Sequence, residues 1–113
     1  MNDKIISNHN YTEFVNIEGP IVYGGLNMQA HDVKTLGEIK EVRGTVFLRS
    51  DSLEDLGDLR YIDGDLIIAD CPKLKNLKPL IEVTGTVNLS RSNIDSLGSL
   101  KFVGVSLNLK GKP

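Results

Sequence analysis

The sequence has no tryptophan, and phenylalanine and tyrosine together supply only six residues. Deep aromatic pockets and base-stacking platforms are therefore poorly provided for. The single cysteine, Cys71, rules out an internal disulfide and suits a reducing compartment. No apolar run reaches the length of a signal-peptide core or of a membrane span. Basic residues are not in excess: 13 Lys and Arg stand against 15 Asp and Glu, a formal net charge of −2, which argues against direct nucleic-acid binding. His9 and His31 have no companions at metal-ligand spacing, and the glycines are not gathered into a phosphate-binding loop, so neither a metal nor a cofactor is expected. These absences point to a soluble, cytoplasmic protein without membrane contact.

What the sequence has in abundance is repetition. From Gly24 the chain divides into "GGLNMQAHDVKTLGEIKEVR", "GTVFLRSDSLEDLGDLRYID", "GDLIIADCPKLKNLKPLIEVT", "GTVNLSRSNIDSLGSLKFVG" and a final "VSLNLKGKP", with full blocks of 20, 20, 21 and 20 residues. Two apolar positions alternate near the start of each block: Leu26/Met28, Val46/Leu48, Leu66/Ile68, Val87/Leu89 and Leu107/Leu109. Four more follow at intervals of three, as in Leu53-Leu56-Leu59-Ile62 and Leu74-Leu77-Leu80-Val83. All 26 such positions are apolar, in a chain that is 40% hydrophobic.

The alternation marks a short strand with one face inward. The spacing of three suits a 3₁₀-like or irregular extended return, because side chains three apart eclipse there. A coil of this length has no room for an α-helix beside a strand and two turns. Its apolar side chains are buried only when neighbouring coils stack. The fold class expected is therefore mainly β: a solenoid with one parallel sheet of about five short strands and little or no helix. Residues 1–20 form an N-terminal cap and 21–113 the solenoid, with four full coils and a terminal strand. Gly24, Gly44, Gly64 and Gly85 mark tight corners that favour positive φ, and Gly37, Gly57 and Gly98 mark a second bend, where Lys78-Pro79 replaces glycine. The extra residue of the third coil predicts a bulge at Cys71-Pro72-Lys73.

The recurring frame, seen in "SLEDLGDLRYIDGDLIIADC", resembles leucine-rich repeats, especially the short, helix-poor kind of receptor L-domain-like proteins. The resemblance covers roughly residues 20–110 and implies a recognition scaffold. In such repeats the position of Cys71 carries a residue that hydrogen-bonds the turn backbone. Counted from the strand, that position is also held by His31, Asp51, Ser92 and Lys112. A thiol enzyme built from His31, Asp51 and Cys71 is the remote alternative: strand order places Asp51 between the other two, so the histidine does not face the thiol. No catalytic residue is expected, and the protein is read as a non-enzyme.

The outward strand positions are mostly polar. Phe47 and Ile67 are the exceptions, and they are cross-strand neighbours. With Arg49, Asp65, Asn27 and Asn88 around them, they are the candidate partner-binding residues of a protein–protein interaction module. Charge is also uneven: residues 1–70 carry a formal −7 and 71–113 a formal +5, and 51–70 alone hold seven acids. The alternative reading is a small inhibitor or decoy, of phage or mobile-element type, that blocks a larger effector through these acidic central coils. The expected partner is another protein. The unpaired last strand also allows a homodimer through the C-terminal edge, which Lys110, Lys112 and Pro113 would blunt.

Overall fold

A computed structural model describes residues 16–18, 21–29 and 34–109. The N-terminal cap expected over 1–20 lies outside these residues except for strand β1 (Asn16–Glu18). His9, His31, Lys110, Lys112 and Pro113 also lie outside them.

The expected parallel sheet is present. It comprises β3 (Leu26–Gln29), β5 (Val46–Arg49), β7 (Leu66–Ala69), β9 (Val87–Arg91) and β11 (Leu107–Asn108), stacked in coil order. Leu26 pairs with Val46, Val46 with Leu66, Leu66 with Val87 and Val87 with Leu107, so each rung is one coil of the repeat. Alternate residues point in: Val46, Leu48, Leu66, Ile68, Val87 and Leu89 are all buried. The chain is a parallel β-solenoid without a helix among the described residues.

The return is more ordered than expected, because it ends in a second sheet. This sheet contains β1, β2 (Ile21–Tyr23), β4 (Glu41–Arg43), β6 (Tyr61–Ile62), β8 (Glu82–Val83) and β10 (Phe102–Val103). All its pairs are parallel except β1 with β2, which run antiparallel at the N-terminal edge. Strands of two or three residues leave almost no alternation to read in a sequence. They form because coils of nearly equal length bring backbone amides and carbonyls into register.

Between the sheets the spacing of three comes from a tight turn. The amide of Leu59 donates to the carbonyl of Leu56 at 3.2 Å, Leu80 to Leu77 at 2.8 Å and Leu100 to Leu97 at 3.1 Å. The second turn residue is Gly57 or Gly98, with φ of 64° and 62°. In the third coil the same turn is made with a cis Lys78–Pro79 peptide. Gly57 is doubly constrained: its φ is left-handed, and a Cβ there would fall on the backbone of Gly37 in the coil before.

One more side chain closes each turn. Thr35, Asp55, Asn76 and Ser96 accept a hydrogen bond from the backbone amide two residues on, at 3.1, 2.8, 2.9 and 3.1 Å. These four residue types are the usual formers of such side-chain-closed turns. They precede the "LG" or "LK" of each coil, a regularity visible in the sequence but carrying no hydrophobic signal.

Two expectations need correction. Gly85 does not share the positive φ of Gly24, Gly44 and Gly64. It is needed for close approach instead: a Cβ would strike the Asp65 carboxylate and lie 2.8 Å from the Gly64 carbonyl oxygen. The extra residue of the third coil is Asp70 rather than a bulge at 71–73. The amide of Leu74 bonds the carbonyl of Cys71 at 3.2 Å, so the turn keeps its length and the insertion falls at the strand exit. Asp70 adopts φ 54°, a left-handed conformation that aspartate tolerates better than most residues. The pairing with β9 slips just before it, with Ile67 opposite Asn88 but Ala69 opposite Arg91, which puts one extra residue on the β9 side.

Candidate interaction surface

The core beneath the first sheet is aliphatic, apart from Met28 and Cys71. None of the described aromatic residues is buried: Tyr23, Phe47 and Tyr61 are half-buried and Phe102 is exposed. Aliphatic rungs stack at the strand spacing, about 4.8 Å, without the extra thickness an aromatic ring demands.

The sequence-predicted residues come together on the outer face. Register places Asn27, Phe47, Ile67, Asn88 and Asn108 in one row across the five strands. Phe47 and Ile67 are directly opposed and both half-buried, an apolar pair between asparagines. Polar bonds hold the row: Gln29 Nε2 donates to Asn27 Oδ1 at 3.1 Å, and Asn88 Oδ1 accepts from the amide and hydroxyl of Ser90 at 3.0 and 2.8 Å.

Arg49 and Asp65 sit at opposite ends of this face and do not pair. Arg49 turns to the inserted Asp70, with Nε 3.5 Å from Oδ2, and Arg91 approaches the same oxygen at 3.7 Å. Both pairs are half-exposed and loose, so their contribution to stability is small. Asp65 Oδ1 accepts the backbone amide of Thr86 at 2.8 Å and is half-buried beside Gly85.

The seven acids of 51–70 do not form one patch. Asp70 lies at the exit of the first sheet, and Asp51 in the turn after it accepts from Ser52 Oγ at 3.3 Å. Asp55 closes a turn on the return, and Asp63 accepts the Thr84 hydroxyl at 3.0 Å beyond β6. Several of these carboxylates thus serve backbone or side-chain donors of this chain, spread over different sides of the coil.

Cys71 is 1% exposed. Its Sγ donates to the carbonyls of Leu48 and Ala69 at 3.5 and 3.7 Å. Burial pushes the thiol pKa up and the neighbouring Asp70 charge adds to this, against a hydrogen bond from the Ser50 backbone. Counting from the strand set it level with Asp51, but the inserted Asp70 sets it level with Ser50. Ser50 is buried and its Oγ accepts the amides of Ser52 and Leu53 at 3.1 and 3.2 Å; Ser92 does the same for Ile94 at 3.3 Å. Asp51 is therefore one residue out of step with the thiol and stands at the surface. Asp51, Asp70, Cys71, Pro72, Arg91 and Asn93 line an open recess of about 350 Å³ there.

Among the described residues no group of three or more His, Cys, Asp or Glu is placed to hold a metal ion. Among them, too, no helix is long and apolar enough to cross a membrane. Comparison of the chain with protein-family models, curated proteins and solved structures finds no match.

Proposed function

We infer that the protein is a non-catalytic module that binds another protein through the outer face of its first sheet. The observation that carries this reading is the opposed pair Phe47 and Ile67, half-buried side chains in an otherwise polar row. Such a pair stabilises the sheet by itself, by up to about 1 kcal/mol. It also offers what interface centres use, an apolar anchor ringed by polar groups that keep their own hydrogen bonds. Asn27, Asn88, Arg49 and Asp65 form that ring, and the aliphatic core holds it rigid. In this reading the coils are of the leucine-rich type and work in a reducing, cytoplasmic setting.

The test is affinity capture from the cells of origin, read by mass spectrometry, with the wild type beside Phe47→Asp/Ile67→Asp. Circular dichroism confirms that the double variant is folded. A partner held by the wild type and lost by the folded variant supports the reading. A partner held equally by both moves the binding site off this face.

A further inference from the structure

The strand exit beside Phe47 and Ile67 carries two arginines with one carboxylate between them. On β5, Arg49 follows Phe47 by two residues, so both side chains leave the outer face. On β9, Arg91 stands opposite Ala69, which follows Ile67 by two residues on β7. Ala69 brings only a methyl group. The central strand is therefore low here, and the strand on either side of it holds an arginine.

The two arginine side chains are 58% and 71% exposed, and each meets Asp70 Oδ2 only loosely, at 3.5 and 3.7 Å. Among the described residues Asp70 is the sole acidic partner of either one. A single carboxylate oxygen thus serves two guanidinium groups, each with five N–H donors. Asp70 comes no closer because its backbone amide is bonded to the Arg91 carbonyl at 3.0 Å, which holds it at the strand exit. The other charges nearby are placed differently. Asp65 lies at the far end of the face and gives Oδ1 to the Thr86 amide. Asp51 belongs to the turn beyond the sheet and lines the recess there with Asp70 and Arg91. Lys110, two residues past Asn108 in the sequence, is basic. With Asp51 counted, Arg49 and Arg91 balance Asp51 and Asp70. Recognition at this corner therefore rests on directed hydrogen bonds rather than on a long-range field.

We propose that the partner of this face presents an extended segment with Asp or Glu next to the apolar side chain that seats on Phe47 and Ile67. Its carboxylate takes the place of Asp70 between the two guanidinium groups, and Asp70 is the stand-in that occupies this place in the free protein. An arginine holds a carboxylate best through two parallel N–H···O bonds, a geometry that neither contact to Asp70 attains. A carboxylate on a partner segment is free of the backbone tie that keeps Asp70 at a distance. The proposal rests on the binding reading above and adds the chemistry of the partner.

Selection of random short peptides, displayed on phage, against the immobilised 113-residue chain tests this. The enriched sequences are expected to place Asp or Glu beside an aromatic or aliphatic residue. Fluorescence anisotropy of one labelled, enriched peptide then reads the site, with circular dichroism confirming that each variant is folded. Arg49→Gln/Arg91→Gln weakens binding about tenfold or more, the usual size of a lost hydrogen bond to a charged group. Asp70→Asn removes the competing carboxylate and tightens binding, while asparagine tolerates the left-handed backbone as aspartate does. Unchanged or weaker binding by Asp70→Asn overturns the proposal, and this measurement decides alone if the arginine variant unfolds. Enriched peptides without an acid that are lost by Phe47→Asp/Ile67→Asp also overturn it, and leave the binding reading standing. Acidic peptides held equally by Phe47→Asp/Ile67→Asp remove both. Selection that enriches no peptide overturns the proposal as well.

Discussion

The coil from Gly44 to Asp63 and the coil from Gly85 to Gly104 carry the same apolar pattern and meet different fates. In the first, Leu53, Leu56, Leu59 and Ile62 are all at 0% exposure. In the second, Leu97, Leu100 and Val103 are only partly buried, and the strand that follows exposes Leu107 and Leu109. The residues are equivalent in type and spacing, so the difference lies in what stacks on them. A solenoid rung is buried by its neighbours rather than by its own coil, and stability runs along the axis as a sum of such contacts.

The sharpest way to break this comparison is one deletion at each place. Leu56→Ala leaves a cavity between two covered coils and costs about 2–5 kcal/mol. Leu107→Ala removes a side chain already partly in water and costs less than about 1 kcal/mol, in proportion to the smaller area it buries. Urea unfolding of both variants measures the difference, and equal losses would show that the last rung is as well covered as the central one.

Backbone close packing gives the next effect. Gly57→Ala places a Cβ against Gly37 at a left-handed φ, and a loss of about 1–3 kcal/mol is expected in the same unfolding assay. A loss of a few tenths would mean that the coils are not in contact at this bend.

Local opening sharpens the contrast without a mutation. In dilute protein the amides of Leu107 and Asn108 exchange faster than those of Leu48 and Ile68, because fraying begins at β11, which among the described residues has a neighbour on one side only. Equal protection in both places would remove the difference between the ends.

The smallest effect is a pH dependence in the middle of the stack. Burial raises the Cys71 pKa above its unfolded value, so the folded state holds the thiol proton where the unfolded chain releases it. The stability this contributes is full below the unfolded thiol value, about 8.5, and falls as pH rises through the folded value. Between pH 7 and pH 10 the wild type should therefore lose slightly more stability than Cys71→Ala. Parallel curves for the two would show that the thiol is not held away from solvent.

The same division between rung and stack separates what was legible in the sequence from what was not. Leu66 and Ile68 alternate with Ile67, and this assigned the inner and outer faces correctly. Phe47 and Ile67 could be matched across strands because their two coils repeat after 20 residues. Cys71 was placed one step wrong: counting from Ile68 cannot tell whether an inserted residue goes into the turn or the strand exit. The hydrogen bond between Leu74 and Cys71 holds the turn at its length and pushes the insertion to Asp70. Arg49 and Asp65 were legible as flanking the same apolar pair, but their own partners were not. Those partners are Asp70 for Arg49 and the Thr86 amide for Asp65. The side-chain-closed turns at Thr35, Asp55, Asn76 and Ser96 were there to be read, as a column of small polar residues before each bend.

Coil length, the inward residues and the strand face follow from local periodicity, since a side chain's direction depends on its place in a strand or turn of a few residues. The second sheet, the position of Asp70, the close approach at Gly85 and the bare rung at Leu107 and Leu109 arise only when coils are stacked. Each depends on atoms about one coil apart in the chain and a few ångströms apart in space, and no pattern within a single coil records that distance.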